Sequence, residues 1–98
     1  METFSDIING EKPVLVDFYA TWCGPCVGMA PIIDSVGKEM QDEIRTLKLD
    51  IDKNQAAAQK FRIQSVPTFL LFQRGEILWR HSGAMDKTRL VQQIKAKI

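Results

Sequence analysis

The sequence predicts an α/β domain built on a mixed sheet of about four strands with helices on both faces. Three observations predict it. Apolar runs of strand character alternate with stretches of helical periodicity. The first two strands are separated by a helix, and a strand–helix–strand unit implies a right-handed parallel pair. The last two strands are separated only by Arg74-Gly75, which reads as a hairpin turn and therefore adds an antiparallel pair.

Each element has its own warrant. Thr3, with Asp6 three residues on, marks a helix start, and Phe4, Ile7 and Ile8 give it a short apolar face before Asn9-Gly10 stops it. Val14-Leu15-Val16-Asp17-Phe18-Tyr19 is nearly all apolar and reads as a strand buried on both faces. After Cys26 a helical pattern carries Met29, Ile32, Ile33, Val36 and Met40 at spacings of three and four, to about Gln41. Pro31 lies inside it, where the lost backbone donor predicts a kink.

Leu47, Leu49 and Ile51 alternate with Lys48 and Asp50, which is strand periodicity. Asn54 is expected to cap a short helix through Ala56, Ala57, Ala58 and Phe61. Thr68 to Phe72 and Ile77 to His81 are the hairpin strands, and Ser82-Gly83 breaks the second. Asp86 caps a last helix with Leu90, Val91, Ile94 and Ile98 on one stripe. There are no repeats, no low-complexity segment and no linker, so residues 1–98 read as one domain.

The bulk numbers exclude several classes. Thirteen basic against 12 acidic residues leave a net charge of +1, with no block of either sign to bind nucleic acid or an anionic membrane. No apolar run reaches membrane-spanning length. The start METFSDIING has neither a basic nor an apolar leader region, which points to the cytoplasm; an exported mature form, with Met1 in place of a removed leader, is the alternative.

Only two cysteines occur, both within Trp22-Cys23-Gly24-Pro25-Cys26, between a buried strand and a helix. A disulfide there closes a tiny loop and removes little chain entropy, so stapling explains it poorly and reactivity explains it well. A helix N-terminus offers free N–H groups and partial positive charge, both of which favour the thiolate. Cys23 is expected at an exposed helix start, and Cys26, three residues on, faces the same side and can attack a mixed disulfide formed at Cys23. Pro25 fits the first turn, where its missing N–H costs nothing. Zinc needs about four ligands and only His81 is left to add a nitrogen, so no metal is expected. A Cys–His hydrolase would need that same histidine and would not need the second cysteine. His81 reads as a surface residue at a strand end, Trp79 as a partly buried strand residue, and the methionines as core filler.

The stretch Val16-Asp17-Phe18-Tyr19-Ala20-Thr21-Trp22-Cys23-Gly24-Pro25-Cys26 resembles the active-site segment of the thioredoxin family. Ala30-Pro31, the run Lys48-Leu49-Asp50-Ile51-Asp52, Val66-Pro67-Thr68 and Gly83-Ala84 match further landmarks in order, so the resemblance covers nearly the whole chain. It implies a thioredoxin-like fold lacking the usual first strand, with the strand at Arg45 to Asp50 left as an open edge. It implies Cys23 as nucleophile, Cys26 as resolving thiol and Pro67 as a cis-proline beside them, although X–Pro bonds are cis in only ~5–6% of folded cases. Val66 would offer backbone hydrogen bonds to an extended substrate, and Trp22, Gly24, Pro25, Gly83 and Ala84 would form a flat, weakly polar docking face.

The chain also departs from the family. A basic residue usually follows the second cysteine; here Val27 and Gly28 stand there, which weakens thiolate stabilisation and alters the docking rim. Tyr19 stands where a tryptophan is common.

Asp17 interrupts an apolar run, where a carboxylate loses hydration that no neighbour in sequence replaces. Two readings are open. One is an ion pair with Lys48, which the resemblance places nearby; the other, favoured here, is a proton acceptor, which the resemblance places behind Cys26, with Lys48 modulating it. The function expected is therefore reduction of protein disulfides through a Cys23/Cys26 dithiol, by a monomer with no cofactor beyond that redox-active pair. A flavin-dependent thioredoxin reductase is the implied electron donor, in a role of electron transport and redox homeostasis. The rivals are a docking module on the same fold and an exported oxidant or isomerase; Gly24-Pro25 resembles the reducing members.

Overall fold

In the computed structural model, which describes residues 1–98, helix α1 (Phe4–Ile8) opens with a reciprocal cap. Thr3 Oγ1 accepts from the Asp6 N–H at 3.1 Å and Asp6 Oδ2 accepts from the Thr3 N–H at 3.0 Å. Strand β1 (Val14–Tyr19), helix α2 (Gly24–Glu39), strand β2 (Arg45–Asp50), helix α3 (Gln55–Lys60), strands β3 (Thr68–Gln73) and β4 (Glu76–Ser82) and helix α4 (Lys87–Lys95) follow. Element order and type match the sequence expectation. Helix α2 begins at Gly24, directly after Cys23, as the placement expected of that cysteine requires, and runs on through Pro31.

The sheet order is β2-β1-β3-β4. β1 pairs parallel with β2 and antiparallel with β3, and β3 pairs antiparallel with β4, so the sheet is mixed and β2 lies at an edge, as expected. Arg74 (φ 53°) and Gly75 (φ 80°) both take left-handed backbone in the β3–β4 turn, and a Cβ at Gly75 would collide with the Asn9 side chain. The turn is tied to the end of α1, because the N–H groups of Arg74 and Gly75 bond the carbonyls of Gly10 and Ile8, each at 2.9 Å.

Helices α2 and α4 cover one face, where Leu15, Phe69 and Leu71 pack on Met29, Ile33, Val36, Leu90 and Ile94. Helices α1 and α3 cover the other, where Val14, Val16, Phe18, Leu70 and Phe72 meet Ile8, Ala57 and Phe61. β1 and β3 are buried from both sides, which explains their unbroken apolar runs. Each fully buried Leu, Ile or Phe contributes about 1.5–3 kcal/mol.

Two local expectations are corrected. Asn54 occupies the N-cap of α3 but its side chain makes no cap bond; Nδ2 instead donates to the Asp50 carbonyl at 2.9 Å, closing the turn after β2. Ile98 lies beyond the end of α4 and is 47% exposed, so the buried stripe consists of Leu90 and Ile94 with Val91 half-buried. Asp86 does cap α4, accepting from the Arg89 N–H at 2.8 Å.

Candidate active site

The end of β1 delivers the chain through Ala20 to Cys23, which is the N-cap residue of α2. Extended backbone at Cys23 (φ −95°, ψ 111°) turns its sulfur over the first helical turn, where Sγ accepts from the Cys26 N–H at 3.1 Å. Cys23 and Cys26 are joined as a disulfide with Cα atoms 5.3 Å apart, a separation that one helical turn supplies. Pro25 sits in the first turn, as its missing donor allows.

The exposure expected of Cys23 is corrected. It is 6% exposed and Cys26 3%, because Ala20 and Val66 pack against the pair. The neighbouring surface is open: Trp22 is 69% exposed, and Gly24, Pro25 and Val27 are exposed as well.

On one side of the disulfide the Val66–Pro67 bond is cis, and the Val66 carbonyl oxygen lies 3.7 Å from Cys23 Sγ. The Gly83 N–H donates to the Pro67 carbonyl at 2.8 Å, which ties the loop carrying exposed Ala84 to this segment. Gly83 has φ +103°, left-handed backbone that suits glycine. Thr68 anchors the same corner, donating to the Ser65 carbonyl at 2.7 Å. Trp22 Nε1 donates to Asp52 Oδ2 at 3.0 Å and so holds the indole toward the turn after β2. Sequence reasoning assigned Asp52 no part here, and nothing in its neighbours in sequence links it to Trp22.

On the other side of the disulfide a cleft of about 380 Å³ is lined by Asp17, Tyr19, Cys26, Val27, Ala30 and Lys48, among others. Asp17 is 1% exposed and its Oδ1 has no hydrogen-bond partner. Burial pushes its pKa up to about 6 from an ordinary 3.8, and the nearby Lys48 charge opposes the rise. Asp17 and Lys48 are register partners across β1 and β2, so they stand on the same face of the sheet. The ion pair weighed for them does not form. Lys48 Nζ bonds Asp34 Oδ1 at 2.7 Å, because α2 crosses over β2 at that point. Trp79 is half-buried and stacks on His81 at 5.8 Å between ring centroids, a strand-face contact away from the disulfide. No group of three or more His, Cys, Asp or Glu side chains is placed to hold a metal ion.

Comparison with known proteins agrees with this arrangement. The thioredoxin family model matches residues 1–96. A thioredoxin-like protein of Synechocystis is 46% identical over 93 residues, covering 94% of this chain and 89% of its own length. Thioredoxin Y1, chloroplastic, of Arabidopsis thaliana is 44% identical over 95 residues, which are 96% of this chain and 55% of that protein. A bifunctional thioredoxin reductase/thioredoxin of Mycobacterium leprae is 42% identical over 91 residues, 93% of this chain and 20% of its own. The chain thus spans about half the length of the plant relative and nearly all of the cyanobacterial one. The matched span takes in the strand–helix corner that carries the Cys23–Cys26 disulfide as well as the rest of the sheet, and this chain is a member of the thioredoxin family.

Proposed function

We propose that this chain reduces protein disulfides, with Cys23 as nucleophile and Cys26 as resolving thiol. The observation that carries the reading is the placement of both sulfurs in the first turn of α2, with the Cys26 N–H directed at Cys23 Sγ. That N–H and the helix dipole favour a thiolate at Cys23 once the pair is reduced. The thiolate attacks one sulfur of the substrate disulfide and expels the other as a thiol. Cys26, losing its proton, then attacks Cys23 of the mixed disulfide; the substrate leaves fully reduced and the Cys23–Cys26 disulfide re-forms. Electrons and protons balance, and the chemistry requires no further cofactor.

Asp17 is the proton acceptor for Cys26 in this scheme. It lines the same cleft, and a carboxyl with a pKa of about 6 is matched to proton transfer near neutral pH. Lys48 modulates it. Val66 supplies main-chain hydrogen bonds to an extended substrate segment, with cis-Pro67 holding the corner, and Trp22, Gly24, Pro25, Gly83 and Ala84 form the docking face.

Oxidised product must be recycled by an external donor. A thioredoxin reductase, flavin-dependent by family resemblance, is the donor proposed, and the fusion of those two activities in the name of the Mycobacterium leprae relative supports it. The compartment proposed is a reducing one, the cytoplasm, and the chloroplastic name of the Arabidopsis relative makes the plastid the second choice. No helix is long and apolar enough to cross a membrane. A monomer is proposed, with residues 1–98 as one domain.

Insulin-disulfide reduction with dithiothreitol as donor tests the reading. Catalysis above the dithiothreitol background that is abolished by Cys23→Ser is expected. Activity no higher than background would favour a docking module, and a reduction potential far above that of a reducing thioredoxin would favour an oxidant.

A further inference from the structure

Lys48 has two carboxylates within its compass and bonds only one. Asp17, its register partner, is buried with Oδ1 unbonded, while Asp34 approaches from α2 and takes the ammonium at 2.7 Å. The approach is built into the helix packing. One turn beyond Asp34, Gly37 lies so close to β2 that a Cβ there would come within 2.6 Å of Thr46 Oγ1. The close crossing brings Asp34 over β2 where Lys48 emerges. The Asp34 and Lys48 side chains are 63% and 34% exposed. A pair this wet contributes little to stability, so what it settles is where the ammonium sits.

We propose that Asp34 is a positioning residue: by holding the Lys48 ammonium on the outer rim of the cleft it keeps Asp17 unpaired, and so sets the charge state in which Asp17 meets Cys26. This rests on Asp17 being the proton acceptor. An ammonium swung onto Asp17 would hold the carboxylate ionised and hydrogen-bonded, a weak base near neutral pH. With Lys48 turned outward, burial dominates and the carboxyl retains a proton affinity suited to exchange.

The other groups around Asp17 leave Lys48 as the only movable cation. β2 also presents Asp50 on this face, and its Oδ1 is occupied by the Asp52 N–H at 2.8 Å. β1 itself adds Tyr19, α2 adds Cys26 and Asp34, and β3 places apolar Phe69 opposite Asp17.

The test is a carboxyl-carbon NMR titration of Asp17 in the full oxidised chain. Asp34→Ala, at an exposed helical position that tolerates alanine, should lower the Asp17 midpoint by about one pH unit, the size of effect a nearby opposite charge produces. Asp34→Glu should restore it. In a Lys48→Met background, Asp34→Ala should leave the midpoint where Lys48→Met alone puts it. An unmoved midpoint in Asp34→Ala, or the same displacement with and without Lys48, overturns the proposal, the second because Asp34 would then act directly. The role of Asp17 itself is read separately: an unchanged insulin-reduction rate in Asp17→Asn would remove it from the mechanism without altering these midpoints.

Discussion

Asp17 and Lys48 are paired across β1 and β2 by backbone register, yet the Lys48 ammonium bonds Asp34 and leaves Asp17 Oδ1 without a partner. A buried carboxyl without a hydrogen bond or a close countercharge destabilises the fold whenever it is ionised. Its raised pKa expresses the same fact, since the folded chain holds this proton more tightly than the unfolded one.

The pH dependence follows from that sign. Asp17 costs no stability well below its unfolded value of 3.8, where both states are protonated, and an increasing amount as pH rises from 3.8 to about 6, after which the loss levels off. Asp17→Asn should therefore stabilise the oxidised domain above pH 6, by at most roughly 3 kcal/mol, and leave it unchanged below about pH 3. Urea melts at about pH 2.5 and about pH 7.5 check this. The same variant should slow disulfide exchange at neutral pH. A destabilised variant at pH 7.5 would mean that the carboxylate has a stabilising partner in solution.

The two thiols should differ once reduced. Cys23 is the N-cap and adjoins exposed Trp22 and Gly24, whereas Cys26 lies inside the first turn behind it. Limiting iodoacetamide is expected to alkylate Cys23 first, as mass spectrometry of the peptides would show. Cys26→Ser should accumulate a mixed disulfide with substrate, and Cys23→Ser should not. Equal labelling, or trapping through Cys26, would overturn this assignment of roles.

Two glycines of α2 should respond to alanine with opposite signs. At Gly28 a Cβ meets nothing within 4 Å, so Gly28→Ala should stabilise the helix by about 0.5–1 kcal/mol. At Gly37 the Cβ would meet the Thr46 side chain at 2.6 Å, and Gly37→Ala should destabilise by about 1–3 kcal/mol through overpacking, less whatever helix propensity returns. Denaturant midpoints of the two oxidised variants decide it. A stabilised Gly37→Ala would show that the α2–β2 crossing relaxes freely, which would also loosen the placement of Asp34.

A cap should matter at α4. Asp86 Oδ1 accepts from the Arg89 N–H at 2.8 Å, so Asp86→Ala should cost about 1 kcal/mol in the same melts. No loss would mean that the end of α4 frays without consequence for the core.

Much of this was legible in one dimension. The doubly buried run at Val14 to Tyr19, the alternation at Leu47 to Ile51 and the glycine turn at Gly75 each encode an element through local periodicity or backbone preference, and each element formed where expected. The dithiol was legible too, because its chemistry needs two sulfurs one helical turn apart and that spacing is a property of the sequence. What tertiary structure alone decided was which side chains meet. Lys48 has Asp17 as its strand partner but bonds a carboxylate on a helix whose approach depends on Gly37, and Trp22 finds Asp52 across the turn after β2. Asn54 turned its amide back to Asp50, and the packing of Ala20 and Val66 buried a cysteine that position alone suggested was exposed. Periodicity fixes which face a residue occupies, but hydrogen-bond partners depend on inter-element distances of a few ångströms, and these are set only when the helices settle onto the sheet.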